Sequence, residues 1–408
     1  MTRPNRRDFL KAAGAGGAVA VAGCLGDGGE NEISLGVLMG VSGGLEELGP
    51  DIRDSALIVE EQFSDADTDI TIDTQFEDTG SEASTGVSGA EALDDAGYPA
   101  IIGALASNVS LQVAQEVAIP QQIPMVSPAS TAPEYSELEG DWTFRTAVPD
   151  SFQGEVLAQI AGNRLEADSV AALGQDDAYG QGLSGAFVES FRNDIGGSAS
   201  EPVIFAQGES SYTTQLENAL EDDPDVLLIV GFPEDGVRIF SDFYSEFDAD
   251  SVDILVADGL QDSGLPSDVG YDMSDVTGTA PIGSGPGVDA FEQLFEDTYD
   301  ESPAGKPFVR QSYDAAATLL LAAAAADDSS DSTAIRDQIR NVTEEPGEEV
   351  TPDNLVEGAE MANDGDDIQY RGVSGEITYD ENGDQSDVAY EYFTFTEDGL
   401  ETIETIQL

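Results

Sequence analysis

Apolar and polar positions along this chain switch repeatedly between the two-residue period of a strand and the 3.6-residue period of a helix. Residues 33–39 form a short apolar run of strand character, and Ile52, Ala56, Val59 and Phe63 then recur at helical spacing. Residues 70–76 alternate as a strand does, Ala83–Ala96 reads as a helix, and 100–104 is a strand again. Residues 109–119 are helical, Pro120 and Pro124 stop them, and 124–128 is a brief strand. This βαβαβαβ order predicts a parallel sheet covered by helices on both faces.

A second series opens near Pro149. Helices over 152–165, 182–195, 213–220 and 236–243 alternate with strands over 170–173, Val203–Phe205, Val226–Val230 and 254–257. Two series of similar length predict two similar lobes. The stretch 278–287 is rich in Gly and Pro and is expected to carry the chain back to the first lobe. Residues 289–299 and 313–326 follow as helices. The tail predicts two strands, 375–379 and 388–395, around the turn Asp380-Glu381-Asn382-Gly383-Asp384.

Charge changes the picture. The 408 residues hold 83 acidic and 14 basic side chains, a formal net charge of −69. Disorder is disfavoured by the regular apolar runs and a hydrophobic content of 40%. An acidic tail is disfavoured because the acids are spread along the whole chain. The remaining reading is adaptation to very high salt, where counterions screen the self-repulsion. The lysines, Lys11 and Lys306, are few enough to agree with it. With no basic patch, nucleic acid is excluded as a partner. Cys24 is the single cysteine and histidine is absent. That removes internal disulfides, Cys/His zinc sites and histidine-based acid–base chemistry. An all-carboxylate metal site or a carboxylate-pair hydrolase stays open; the latter needs two acids facing one another, and a single one, Asp258, is expected in the cleft described below. A phosphate loop of the G-x-x-x-x-G-K type is missing, so the chain is not an ATPase. The turn 380–384 lacks the spacing of an EF-hand, and neither a metal nor a cofactor is expected.

The first residues read as an address. Arg6 and Arg7 precede Phe9-Leu10-Lys11, a weakly apolar Ala/Gly stretch follows, and Val21-Ala22-Gly23-Cys24 closes it. This resembles a twin-arginine export signal over 1–23 ending in a lipobox, with Cys24 as the lipid-bearing new N-terminus and 24–32 as a tether. The apolar run is too short to span a membrane, and so is the Ala-rich segment 315–326. The implied location is the outer face of the cytoplasmic membrane.

Further stretches carry a family resemblance. Val41-Ser42-Gly43-Gly44 follows the first strand. Ile101-Ile102-Gly103-Ala104-Leu105-Ala106-Ser107 runs from a strand into a turn. Pro124-Met125-Val126-Ser127-Pro128-Ala129-Ser130-Thr131-Ala132-Pro133 is the strongest match. Phe144-Arg145-Thr146 and Asp176-Asp177-Ala178-Tyr179-Gly180-Gln181-Gly182 follow in order. Together they resemble the branched-chain amino-acid-binding family of ABC importers. The resemblance implies an α/β fold of two Rossmann-like lobes with parallel central sheets, joined by a multi-crossing hinge: the type I periplasmic binding fold. Lobe 1 would comprise 33–147 and 281–373, and lobe 2 148–280 and 374–408.

The resemblance also implies a site. Ser107, at a strand end before a helix, would bind a ligand carboxylate with nearby amides; the same serine also reads as a helix N-cap. The Thr131 hydroxyl and amide and the Ala129 carbonyl would contact the ligand, and Asp258 would meet its ammonium. The family commonly has a glutamate at that place, so Asp258 reaches one methylene less far. Tyr179 and Phe232 would form the second-lobe wall, Phe232 standing where a tyrosine is frequent. Leu48 and Phe308 would line the pocket from the first lobe. The implied function is capture of an amino acid by hinge closure and its delivery to an ABC permease with its ATPase subunits, without catalysis. An adaptor role for a chemotaxis transducer, or a ligand such as an amide or urea, stays open.

Overall fold

A computed structural model describes residues 31–344, 346–385, 387–396 and 399–407. Arg6, Arg7 and Cys24 lie outside the described residues. Five strands build the first sheet: β1 (Glu32–Met39), β2 (Thr71–Asp78), β3 (Ile101–Gly103), β4 (Met125–Ser127) and β5 (Thr143–Arg145). They are all parallel, in the order β2-β1-β3-β4-β5. Leu35, Val37, Leu38 and Met39 of β1 are all buried, because helices cover both faces of a parallel sheet.

The second sheet opens with β6 (Ser169–Gln175), β7 (Ser198–Ala199), β8 (Val203–Phe205), β9 (Val226–Val230), β10 (Asp253–Val256) and β11 (Thr277–Ile282). These are parallel, with β7 and β8 both pairing β6. β11 occupies the first half of the Gly/Pro-rich stretch expected to be a crossing. Pro281 is tolerated there because β10 flanks β11 at Thr277 and Gly278 and no further, so the missing N–H interrupts no ladder on that side.

The chain then returns to the first sheet through Gly283–Gly287. The helix Val309–Ala325 packs on β1, β3, β4 and the helix Gly49–Asp65. The sequence pattern did not show the helices Ser332–Glu344 and Leu355–Asn363, nor the short parallel pair β12 (Glu348–Val350) and β13 (Ile368–Tyr370). Finally β14 (Ala389–Thr396) joins β11 antiparallel and β15 (Gly399–Gln407) joins β14.

The tail departs from expectation between 374 and 385, which the sequence assigned to lobe 2 with a strand at 375–379. These residues sit against the first sheet. The Tyr379 ring meets Phe144 edge-on at 5.2 Å, the Arg145 N–H donates to the Gly383 carbonyl at 3.0 Å, and Arg145 pairs with buried Asp384 at 2.6 Å. Side chains rather than a strand ladder satisfy this backbone: the Glu376 N–H donates to Asp387 Oδ2 and the Thr378 N–H to Gln385 Oε1. The chain joins the second sheet again only from Ala389, where β14 begins.

Candidate functional site

The loops at the C-terminal ends of β3, β4, β6, β9 and β10 converge on one cavity of about 360 Å³ of empty space. Ligands of open α/β sheets bind at such strand ends. Leu45, Leu48, Ile52, Leu105 and Phe308 supply apolar wall from the first-sheet side. Phe308 holds φ at 60°, a backbone region rare for a bulky residue. Tyr179 and Phe232 supply the facing wall as a stacked pair, ring centroids 5.6 Å apart and planes 9° from parallel. The Tyr179 hydroxyl accepts from the Gly259 N–H at 3.1 Å, which fixes that ring.

The two sides touch. A Cβ at Gly44 would lie 3.3 Å from the Phe232 ring, and one at Gly182 would lie 2.7 Å from Pro133 Cδ. Glycine at 182 is what allows this approach.

Ser107 is the first residue of the helix Ser107–Val113, and the cap position is Ala106, with no side-chain cap. The N-cap reading of Ser107 therefore fails. Its buried hydroxyl instead accepts from the N–H groups of Thr131 and Ala132, each at 3.2 Å, and so ties the β3 and β4 loops together. Ser127 Oγ accepts from the Ser130 N–H at 3.0 Å and donates to the Ala104 carbonyl at 2.6 Å. Arg145, fully buried, donates to the Ser130 and Ala132 carbonyls at 3.0 Å, to Ser136 Oγ at 2.6 Å and to Asp384. It holds the 130–132 loop from behind, with four of its five N–H donors committed.

Seven of the eight expected pocket residues line this cavity: Leu48, Ser107, Ala129, Tyr179, Phe232, Asp258 and Phe308. Thr131 stands behind the lining. Its amide is engaged by Ser107, while its buried Oγ1 has no hydrogen-bond partner.

Asp258 opens a short turn after β10, is 3% exposed, and its Oδ1 has no partner. Burial pushes its carboxyl up to about 6, with the neighbouring Gln153 and Tyr179 side chains opposing the rise. A second acid was not expected. Asp150, at the start of the helix Asp150–Asn163, is fully buried, and neither carboxyl oxygen has a partner. Burial, and then the negative charge of Asp258, hold its carboxyl well above the ordinary range. In sequence it follows Pro149 at a helix start, where an acid is routine, so nothing marked it. Asp258 alone among the acids lines the cavity, and Asp150 lies outside that lining. Leu45, Ile52 and Leu105 were also missed; they read as ordinary core.

A family profile described as periplasmic binding protein matches residues 32–355. The chain belongs to the periplasmic binding protein family. Residues 3–23 match the twin-arginine translocation signal. Among relatives of this periplasmic binding protein, a Leu/Ile/Val-binding protein homolog of Brucella melitensis is 27% identical over 158 residues, 38% of this chain and 43% of the relative. The Leu/Ile/Val-binding protein BraC3 of Rhizobium johnstonii is 23% identical over 211 residues, 50% of this chain and 56% of the relative. The chain thus spans about half the length of the curated relatives it matches. Solved structures align over nearly their whole length. A leucine-binding protein of Thermotoga maritima superposes with a TM-score of 0.76 at 24% identity, covering 92% of this chain and 99% of that one. A branched-chain amino acid transporter substrate-binding protein of Streptococcus pneumoniae, in complex with isoleucine, gives 0.73 at 19%, covering 92% and 100%. A solute-binding protein of R. palustris in complex with benzoate gives 0.72 at 14%, covering 92% and 96%. The fold is that of type I periplasmic binding proteins.

The cavity is walled mainly by apolar side chains, with Ser107 and the unpartnered acid Asp258 among its lining residues. No Lys or Arg is among its lining residues. Among the described residues no cluster of three or more acids is placed to hold a metal ion.

Proposed function

We propose that this protein captures an amino acid with an apolar side chain, of the branched-chain kind, and delivers it to an ABC permease and its ATPase subunits. One observation carries the reading: the unpartnered buried Asp258 oxygen lies in a cavity otherwise walled by aliphatic and aromatic side chains. A desolvated carboxylate needs a positive partner, and an ammonium on an aliphatic body meets both halves of the pocket. The printed names of relatives agree, since several bind Leu, Ile or Val and one is solved with isoleucine. A benzoate ligand, as in one neighbour, brings a carboxylate and no cation; that charge is wrong for this pocket. Asp150 does not line the cavity, so a ligand seated there does not reach both acids, which favours binding over carboxylate-pair hydrolysis.

In this reading the first lobe receives the ligand on Ser107, Ala129 and the Thr131 loop, and the second lobe brings Tyr179, Phe232 and Asp258 over it. Ligand contacts favour the closed arrangement. Export by the twin-arginine route and a lipid on Cys24 hold the protein outside the membrane.

Thermal unfolding of the chain from residue 25 onward, in multimolar potassium chloride, tests this. Leucine, isoleucine or valine at about 100 times the dissociation constant adds roughly 2.7 kcal/mol of stability. Stabilisation by benzoate, an amide or a sugar, with none from any amino acid, sinks the reading.

A further inference from the structure

We propose that Asp150 is a proton-carrying member of this site, taking up one proton from solvent as the cleft closes over its ligand. The inference rests on the reading that the ligand's ammonium engages Asp258.

The surroundings of Asp150 leave it no other way to be buried. Thr131, from the β4 loop, stands next to the carboxyl but makes no hydrogen bond of ordinary geometry with it, and its Oγ1 is equally unpartnered. The Arg145 guanidinium is the nearby positive charge, but it is committed to Asp384, Ser136 and two carbonyls. Glu134, just beyond that loop, adds a like charge. The helix Ala178–Ser190 presents bare Gly182, where a Cβ would lie 3.4 Å from Asp150 Oδ2. It also presents Tyr179, which itself feels Asp150, Asp258 and Asp177. The loop after β10 presents Asp258. From β14 comes Tyr390, whose buried hydroxyl has no partner and which also feels both acids. No uncommitted cation is among these neighbours.

An ionised carboxylate buried without a partner costs several kcal/mol. The ligand ammonium neutralises Asp258, which lines the cavity, and leaves Asp150, which does not. Separation of Pro133 from Gly182 in an open cleft admits water to Asp150, and there it ionises in the ordinary way. On closing, a solvent proton bonds to one Asp150 oxygen; nothing else forms or breaks. The new O–H donates to Thr131 Oγ1, and that turns the threonine's own hydrogen outward. Burial and the charge of Asp258, which together raise this carboxyl, act in the same direction.

Calorimetry of isoleucine binding at pH 7.5, in two buffers of different ionisation enthalpy, tests the proposal. The expected result is about one proton taken up per isoleucine, with affinity falling about tenfold per pH unit above the open-state pKa. In Asp150→Asn the proton count drops to zero and the pH dependence flattens, while isoleucine still binds. Binding without proton uptake in the unmodified protein overturns the proposal, as does a proton count that survives Asp150→Asn. If the variant does not fold, infrared difference spectra of the unmodified protein decide: a protonated-carboxyl band appears on isoleucine addition, or its absence overturns the proposal. No binding of leucine, isoleucine or valine at all is a different failure, of the amino-acid reading, and the proposal falls with it.

Discussion

Asp314, on the helix Val309–Ala325, and Asp258, at the end of β10, are both buried, and burial pushes both carboxyls up to about 6. Their company differs. Asp314 accepts from the N–H groups of Val373 at 2.9 Å and Ser374 at 2.7 Å, from the Ser374 hydroxyl at 2.5 Å and from the Tyr370 hydroxyl at 2.6 Å. Its donors come from β13 and the residues just after it, so it pins that strand to the long helix. Asp258 and its neighbour Asp150 keep buried oxygens with no donor. Burial and a raised carboxyl pKa are thus common to a structural acid and a site acid. What separates them is whether their acceptors are already used.

Substitution at Asp258 gives the largest expected contrast. Asp258→Ala costs roughly 2–5 kcal/mol of binding, the penalty of removing one partner of a buried charge pair, and leaves ligand-free stability equal or higher. Calorimetric titration paired with ligand-free melting checks both halves. A fall in ligand-free stability as large as the loss of binding would make Asp258 a second Asp314 and erase the distinction.

Stability against pH sharpens it next. Folding raises both carboxyls above their unfolded value near 3.9, so the folded state holds these protons more tightly. The stability each acid contributes is complete below about pH 4 and is lost as pH rises through about 6, about 3 kcal/mol apiece. Saturating isoleucine removes the Asp258 share, since an ammonium replaces the proton, and leaves the Asp314 share. Denaturant titrations of Asp150→Asn between pH 4 and 8, with and without isoleucine, read the difference free of any proton on that acid; equal slopes in both series would refute the assignment.

The smallest effect is at Asp314 itself. Asp314→Asn turns an amide N–H toward groups that are themselves donors and destabilises the fold by about 2 kcal/mol. The ranking of ligands in a thermal-shift panel stays the same. A changed ranking would tie this acid to the cleft.

Legibility in the sequence followed how local each signal was. The strands β1, β9 and β10 are runs of apolar residues whose burial on both faces requires that composition, so the pattern alone shows them. β15 was missed because it is exposed along most of its length and reads as polar tail. The segment 374–385 was misassigned because Asp314, Arg145 and Gln385 hold it, all of them side chains, and two of them distant in sequence. In the site, loop residues next to strand ends were legible through their motifs. Asp150 and the positioning of the 130–132 loop by Arg145 were not, because their roles rest on what surrounds them.

The sequence by itself determined the alternation of strands and helices, the absence of histidine chemistry, the export signal and the loops from which a pocket is built. These follow from residue type, spacing and count. Only the tertiary structure decided which acids, out of 83 in the chain, have unused oxygens inside it. Desolvation and pairing are set by neighbours that the chain brings together from far apart, and no local pattern records them.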